Sequence, residues 1–343
     1  MNPFFEIIEK GTNSSGRRPV WLMRQAGRVL PDYIKIREKF SSFSEMLRHP
    51  EVICQVTLLP LKYLNVDAVI VFKDLYTICE GLGIEYELVD GGIIVKNSIS
   101  PYSKTNFPPD DIFVEKLSFL TSGINLIKKE IKEKKVIIGF TPSPLTLYAG
   151  ITKSGTGGFE QSLYYYYNYP IFFKKITNNL IDSIISYMKI QLSSGCDLIQ
   201  VFDSYGYIFP VEVSRNLTIE FLNRLKGNSI DRIIYFSPYN HALYYEDVFN
   251  EIWGISLDEK TQPDTIENHL SEKIILQGNL DPLILTLDKK VIKEHTIKML
   301  RRFPSKRHIV NTGGGLRPDT PLKNIQFFID LCKEYDRAPD SGA

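Results

Sequence analysis

Short apolar runs rich in β-branched residues recur along the chain, separated mostly by longer stretches with helical periodicity. They lie at Pro19 to Met23, Asp67 to Phe72, Val136 to Phe140, Asp197 to Phe202, Arg232 to Phe236, Ile252 to Leu257, Ile274 to Gln277 and His308 to Asn311. Their apolar positions are consecutive, as expected of strands covered on both faces in a parallel sheet. Between them, segments such as Ile124 to Lys135 and Leu180 to Leu192 carry isoleucine and leucine at helical spacing, with lysines and other polar residues opposite. One face of such a helix packs and the other meets water. Eight such runs, alternating with helices, predict a single (β/α)8 TIM-type barrel over residues 1–343.

One stretch breaks this rhythm. Residues 84–95 read IEYELVDGGIIV, two β-prone arms around Asp90-Gly91, which predicts an antiparallel hairpin inserted after the second barrel strand. Pro101, Pro108 and Pro109 then punctuate the chain before a helix expected to start near Asp110 or Asp111. Tyr164 to Tyr169, interrupted by Asn168, is expected to form a partly buried helix or interface face. Without a basic motif nearby it is no base-stacking surface.

Composition narrows the function classes. The 343 residues suffice for one α/β barrel or two ordinary domains. Lysine and arginine number 41 against 40 acids, a formal net charge of +1, so no bulk field favours nucleic acid or an anionic membrane, and any anion site has to be local. The start has no basic region leading into a long apolar core, and no uninterrupted apolar stretch is long enough for a bilayer; a cytoplasmic protein without membrane insertion is expected. Cys54, Cys79, Cys196 and Cys332 are scattered, without a CxxC pair, and the five histidines form no HExxH motif. Neither a disulfide framework nor a cofactor metal is indicated.

Candidate chemistry clusters after the expected strands, where the loops of a barrel converge. The segment PVWLMRQAGRVLPDY places Arg24 and Arg28 in a glycine-containing loop after the first run, with Arg37 on the helix after Pro31. Guanidiniums so placed need carboxylates, phosphates or carbonyls as partners. Asp74 follows the second run and either caps the next helix or accepts N–H groups from a ligand ring. The glycine runs 155–158 and 313–315 expose backbone N–H groups, but neither has the spacing or lysine of a nucleotide loop. A phosphate-binding barrel is therefore an alternative rather than the leading reading.

That first segment closely resembles the N-terminal signature of the uroporphyrinogen decarboxylase family. Phe72-Lys73-Asp74-Leu75 resembles its FSDIL segment, and Ile138 to Pro144, Phe202 to Gly206, Gln277 to Pro282 and Asn311 to Leu316 resemble further family segments in order. The resemblance implies a cofactor-independent decarboxylation of the four acetate side chains of uroporphyrinogen III, in a protein that forms a homodimer. It also implies roles: Arg24, Arg28 and Arg37 hold substrate carboxylates, Asp74 binds the pyrrole nitrogens, Phe140 lines the pocket and Ser204 contacts a carboxylate. Arg24 or Arg28, with a bound water, would form the proton-delivery environment.

Three positions depart from the family pattern. Lys73 replaces a serine beside the key acid, Gly150 stands where a pocket tyrosine is usual, and Gly314 stands where an NLGHG-like motif supplies a histidine. Tyr148 is a candidate to fill in for the missing tyrosine. The departures raise a second reading, a divergent homologue with reduced or lost activity that acts as a binding or structural protein. A relation to the corrinoid-dependent methyltransferases would require a zinc-binding thiol set that the sequence does not display.

Overall fold

The structure is a computed structural model that describes residues 2–89, 92–96, 98–103, 106–132, 134–153, 158–239, 244 and 246–336. Seven parallel strands form one sheet in the order β1 (Ala68–Ile70), β4 (Val136–Pro142), β5 (Leu198–Phe202), β6 (Ile233–Phe236), β7 (Gly254–Ser256), β8 (Ile275–Leu280) and β9 (His308–Thr312). A separate antiparallel hairpin pairs β2 (Tyr86–Val89) with β3 (Gly92–Val95). Its expected tip, Asp90-Gly91, lies outside the described residues.

The strand residues alternate between two hydrophobic layers. Trp21, Met23, Ala68, Ile70, Val136, Ile138, Phe140, Leu198, Ile234, Phe236, Ile275 and Ile309 belong to an inner cluster. Their neighbours, including Val69, Ile137, Ile199, Val201, Tyr235, Ile255 and Val310, pack outward in the larger cluster. This period of two with both faces apolar is why the runs read as continuously hydrophobic. The curled sheet also encloses a polar thread: the Trp21 indole donates to Gln277 Oε1 at 2.9 Å, and Gln277 Nε2 donates to Gln200 Oε1 at 3.1 Å and Ser256 Oγ at 3.0 Å.

The first expected strand differs from its seven partners. Pro19 to Met23 occupies the gap between β9 and β1 but makes only one parallel bridge, Val20 with Val310. The Asp67 N–H donates to the Val20 carbonyl at 2.8 Å, which ties the segment to the start of β1. Beyond Val20, side chains replace the ladder. Gln25 Oε1 accepts the Leu22 N–H at 2.9 Å, its amide nitrogen donates to the Ala68 carbonyl at 2.9 Å, and Asn311 Oδ1 accepts the Met23 N–H at 3.0 Å. The chain then turns at Arg24, whose φ of 63° no strand can accommodate.

The helix Pro3–Lys10 closes the N-terminal end of the sheet. Phe4, Ile7 and Ile8 enter the inner cluster, and Asn2 both caps the helix, accepting the Phe4 N–H at 3.0 Å, and donates to the Asp67 and Lys134 carbonyls at 2.7 and 3.0 Å. The helix thereby plugs the end of the sheet opposite the C-terminal strand ends. Other helices follow the sequence with shifted bounds. The expected Ile124 to Lys135 segment is the helix Ser118–Glu130, and Leu180 to Leu192 lies within the longer Pro170–Ser194. A helix starts at Asp110 as expected, and in Glu160–Asn168 Tyr165 is buried while Tyr164 and Tyr167 are exposed. No described helix is long and apolar enough to cross a membrane.

Candidate active site

The strand ends carry an aromatic floor. Phe140 at the end of β4 meets Phe202 of β5 edge-on at 5.7 Å, and Phe202 meets Phe236 of β6 edge-on at 6.0 Å. Phe140 is nearly buried while Phe202 is half-buried, so this layer separates the polar thread below from the loops above.

Arg24 enters these loops directly after Met23. Its side chain crosses Gly315, where a Cβ would stand 2.5 Å from Arg24 Cδ, so the bare backbone after β9 is what lets the guanidinium through. Its charge acts on the Tyr205 hydroxyl, in the loop after β5. Arg28 and Arg37 instead act on Tyr33, the buried phenol of the helix Pro31–Arg37, which stands edge-on to Phe72 at 5.8 Å. Burial raises the Tyr33 pKa, and the two cations oppose that rise. Arg37 also donates to the Phe40 carbonyl at 2.9 Å. The three arginines thus serve two sides: Arg24 faces the β5 and β9 loops, and Arg28 and Arg37 flank Tyr33.

Asp74 is nearly buried after β1. Oδ1 accepts the Tyr76 N–H at 2.6 Å, and Oδ2 accepts the Thr77 hydroxyl at 2.9 Å and the Tyr86 hydroxyl of the hairpin at 2.9 Å. The hairpin therefore contributes a ligand to the key acid. A carboxylate has about four acceptor sites, so one remains on Oδ1 for an incoming N–H. Burial pushes the Asp74 pKa up, against the hydrogen bonds from Thr77, Tyr86 and Tyr76 and the charge of Lys73.

Lys73 turns away from its neighbouring acid. Its ammonium donates to the Phe140 carbonyl at 2.7 Å and sits over the Phe140 ring at 3.5 Å and the Tyr187 ring at 4.7 Å. Desolvation lowers its pKa to about 7, with Asp74 opposing the shift. The departure at position 73 thus puts a buried amine against the rings of Phe140 and of Tyr187, on the helix Pro170–Ser194.

Ser204 is half-buried beside an anchor that the sequence did not single out. The buried Asp203 carboxylate accepts the hydroxyls of Ser143 and, at 2.8 Å, Ser237, which joins the ends of β4, β5 and β6. Gly206 is glycine because a Cβ there would stand 2.1 Å from Asp203 Oδ2. Ser143 also caps the helix Pro144–Thr152, accepting the Thr146 N–H at 3.1 Å.

The glycine loop after β9 is a packing element. A Cβ on Gly313 would stand 2.2 Å from the Glu259 nitrogen, and the Gly313 N–H already donates to the Leu280 carbonyl at 2.7 Å. The Leu316 N–H is likewise engaged by the Met23 carbonyl at 2.9 Å, so these two donors are not offered to a phosphate. Gly314 is different, with only Pro282 Cγ near its Cβ position, at 3.9 Å. Residues 155–157 of the other glycine run lie outside the described residues.

Tyr148 does not replace a phenol at position 150. It is fully buried, donates to the Ser162 carbonyl at 3.3 Å and packs edge-on against Phe173 at 5.0 Å. Successive residues of a helix point about 100° apart, which carries it into the outer layer. Instead, Tyr76 approaches Gly150 and interacts with Tyr205. Sequence reasoning passed over both tyrosines, although Tyr76 follows Asp74 by two residues and Tyr205 adjoins Ser204. Among the described residues no group of three or more His, Cys, Asp or Glu side chains is placed to hold a metal ion.

Comparison with known proteins agrees with this architecture. The chain is 31% identical over 337 residues to the uroporphyrinogen decarboxylase of Aquifex aeolicus, covering 93% of this chain and 94% of that protein. It is 31% identical over 322 residues to that of Campylobacter jejuni, covering 92% and 94%. A solved methyltransferase from Methanosarcina mazei shares the fold, with a TM-score of 0.78 at 15% identity over 96% of this chain and 97% of that one. The uroporphyrinogen decarboxylase (URO-D) family profile matches residues 8–335. With that match spanning the barrel and the loops at its strand ends, the chain belongs to the uroporphyrinogen decarboxylase family.

Proposed function

We propose that this protein decarboxylates the four acetate side chains of uroporphyrinogen III, giving coproporphyrinogen III and carbon dioxide. The observation that carries this reading is the placement of Asp74 and Arg24 at the C-terminal ends of adjacent staves: an acid with one acceptor site left, and a cation threaded across Gly315.

In this reading Arg24, Arg28 and Arg37 take peripheral carboxylates, Ser204 contributes a hydroxyl, and Phe140 presents the apolar floor beneath the ring. Asp74 engages the pyrrole nitrogens through the acceptor position left on Oδ1 and stabilises the positive charge that develops when a ring carbon is protonated. The protonated pyrrole is the electron sink. The bond between the acetate methylene and its carboxylate breaks, its electron pair flows into the ring, carbon dioxide leaves, a second proton converts the exocyclic methylene to a methyl group, and loss of the first proton from the ring carbon restores the pyrrole, so that each acetate consumes one proton net. The substrate supplies its own activation, so no cofactor is required. An arginine holds its proton too tightly to release it, so the Arg24 or Arg28 environment would act through a bound water. A homodimer belongs to the same reading.

The test is anaerobic: metal-stripped, folded protein is mixed with chemically reduced uroporphyrinogen, and the products are resolved by carboxylate number. Sequential products ending in the four-carboxylate species are expected. Turnover no faster than a protein-free control would overturn the reading and favour a divergent homologue that has lost the reaction. Sedimentation of the same sample, expected to give twice the chain mass, tests the dimer.

A further inference from the structure

The ring of Tyr76 lies where a side chain at position 150 would have to be. A Cβ on Gly150 would stand 2.3 Å from Tyr76 Cε1, 2.7 Å from Cζ and 2.7 Å from the hydroxyl oxygen, separations that real Cβ atoms do not adopt. Gly150 sits inside the buried helix Pro144–Thr152 and has no left-handed φ, so its backbone conformation does not call for glycine. Glycine there weakens the helix relative to alanine, and the space left by its missing side chain is taken up by one phenol.

That phenol links four segments that meet at the strand ends. Tyr76 donates its N–H to Asp74 at 2.6 Å and is 5% exposed. Its hydroxyl interacts with that of Tyr205, whose own N–H is held by Thr146 Oγ1 at 3.1 Å, on the same helix as Gly150. Tyr205 in turn lies within the field of Arg24. Burial drives the Tyr76 hydroxyl well above its ordinary pKa, so it remains protonated and available as a donor. A phenol both donates and accepts, so a Tyr76 hydroxyl that keeps its proton can serve the Tyr205 oxygen and leave the Tyr205 O–H for an outside acceptor. The sequence carries the matching exchange: position 76 falls on the final leucine of the FSDIL pattern, and position 150 on its usual tyrosine.

We propose that Tyr76, seated on the bare backbone of Gly150, is a positioning residue that holds the Tyr205 hydroxyl toward Arg24, so that the two together take one carboxylate of a polycarboxylate substrate. This rests on the decarboxylase reading for the identity of that substrate. The seat itself does not: large and small residues have changed places between the loop after β1 and the helix after β4.

Four proteins test the seat: the unaltered chain, Gly150→Tyr, Tyr76→Leu, and the double variant. Gly150→Tyr is expected to lower Tm and to cut kcat/KM by about tenfold or more, while the double variant recovers both to within about threefold of the unaltered chain. Losses in the double variant equal to the two single losses combined would overturn the pairing. Tyr76→Phe keeps the ring in its seat and removes the hydroxyl. It is expected to leave Tm within about 2 °C and raise KM about fivefold with kcat nearly unchanged. An unchanged KM would overturn the positioning role and leave Tyr76 as filler. If the unaltered chain fails to turn over, the decarboxylase reading falls alone: Tm across the four proteins still judges the seat. Anaerobic binding of uroporphyrinogen to Tyr76→Phe, expected about fivefold weaker than to the unaltered chain, then judges the hydroxyl.

Discussion

Asp67 grips Arg17 through two parallel hydrogen bonds, Nη1 to Oδ2 at 2.8 Å and Nη2 to Oδ1 at 2.7 Å, while Oδ2 also accepts the Val20 N–H at 2.9 Å. Lys333 adds a fourth donor at 3.4 Å. This buried carboxylate fastens the first stave to the second at the plugged end of the barrel. Burial alone would raise its pKa; Arg17 hydrogen bonding and the charges of Lys333 and Arg17 hold it below the ordinary value. A depressed folded pKa means stability present above the unfolded pKa and lost as pH falls through the folded one. Asp67→Asn is therefore expected to cost about 3 kcal/mol at neutral pH. Urea unfolding should show the gap between the two proteins narrowing below about pH 4.

Lys73 predicts a slope of the same sign in a higher pH window. Its folded pKa of about 7 lies below the ordinary 10.5, so between those values the unfolded chain holds a proton that the folded chain does not. Stability contributed by this group is least below the folded pKa and rises with pH by up to about 1.4 kcal/mol per unit across the window. Lys73→Met should remove that rise and stabilise the protein at pH 7. The Phe140 carbonyl keeps Gln191 Nε2 as a donor at 3.2 Å. Unfolding free energies at pH 7 and 9 check both points, and a slope unchanged in the variant would refute the assignment.

Asp74→Asn preserves volume and can still accept the Tyr76 N–H, but removes the charge proposed to answer a protonated pyrrole. Turnover is expected to fall by about a hundredfold or more in a protein that remains folded by circular dichroism. Equal turnover of saturating substrate would rule out the catalytic assignment. A change confined to KM would restrict Asp74 to recognition.

Adjacent glycines after β9 should respond in opposite ways. Gly314→His places its Cβ no nearer than 3.9 Å to Pro282, so Tm should move by no more than about 2 °C. Gly313→Ala drives a methyl to 2.2 Å from the Glu259 backbone, with an expected loss of about 2 kcal/mol or more. If Gly314→His also raises turnover, the imidazole is a missing substrate contact.

Seven barrel strands and the hairpin arms were legible because burial on both faces and the β-prone arms around Asp90-Gly91 leave direct marks in local sequence. The irregular first stave was not, since its amides are answered by Gln25 and Asn311, and a side chain standing in for a ladder leaves no periodic trace. At the site, Arg24 and Ser204 could be placed because each directly follows a strand or its anchor. Tyr76 escaped because its meaning lies in Gly150, far away in the chain, and Tyr148 drew attention only by proximity along it. Lys73 read as a cation near Asp74, whereas packing points its ammonium to the Phe140 carbonyl.

A cylinder whose staves all share full ladders has no preferred line of parting, but this one does. From Leu22 onward the first stave is latched by two amide side chains rather than by continuous backbone pairing, and the latch stands at the rim where Arg24 emerges. The barrel therefore carries a zip fastener whose slider is Gln25. Deuterium should reach the amides of Leu22 and Met23 well before those of β4 and β5, and Gln25→Leu should hasten it further. A fluctuation that opens this rim loosens the backbone that carries Arg24 while leaving the plugged end shut.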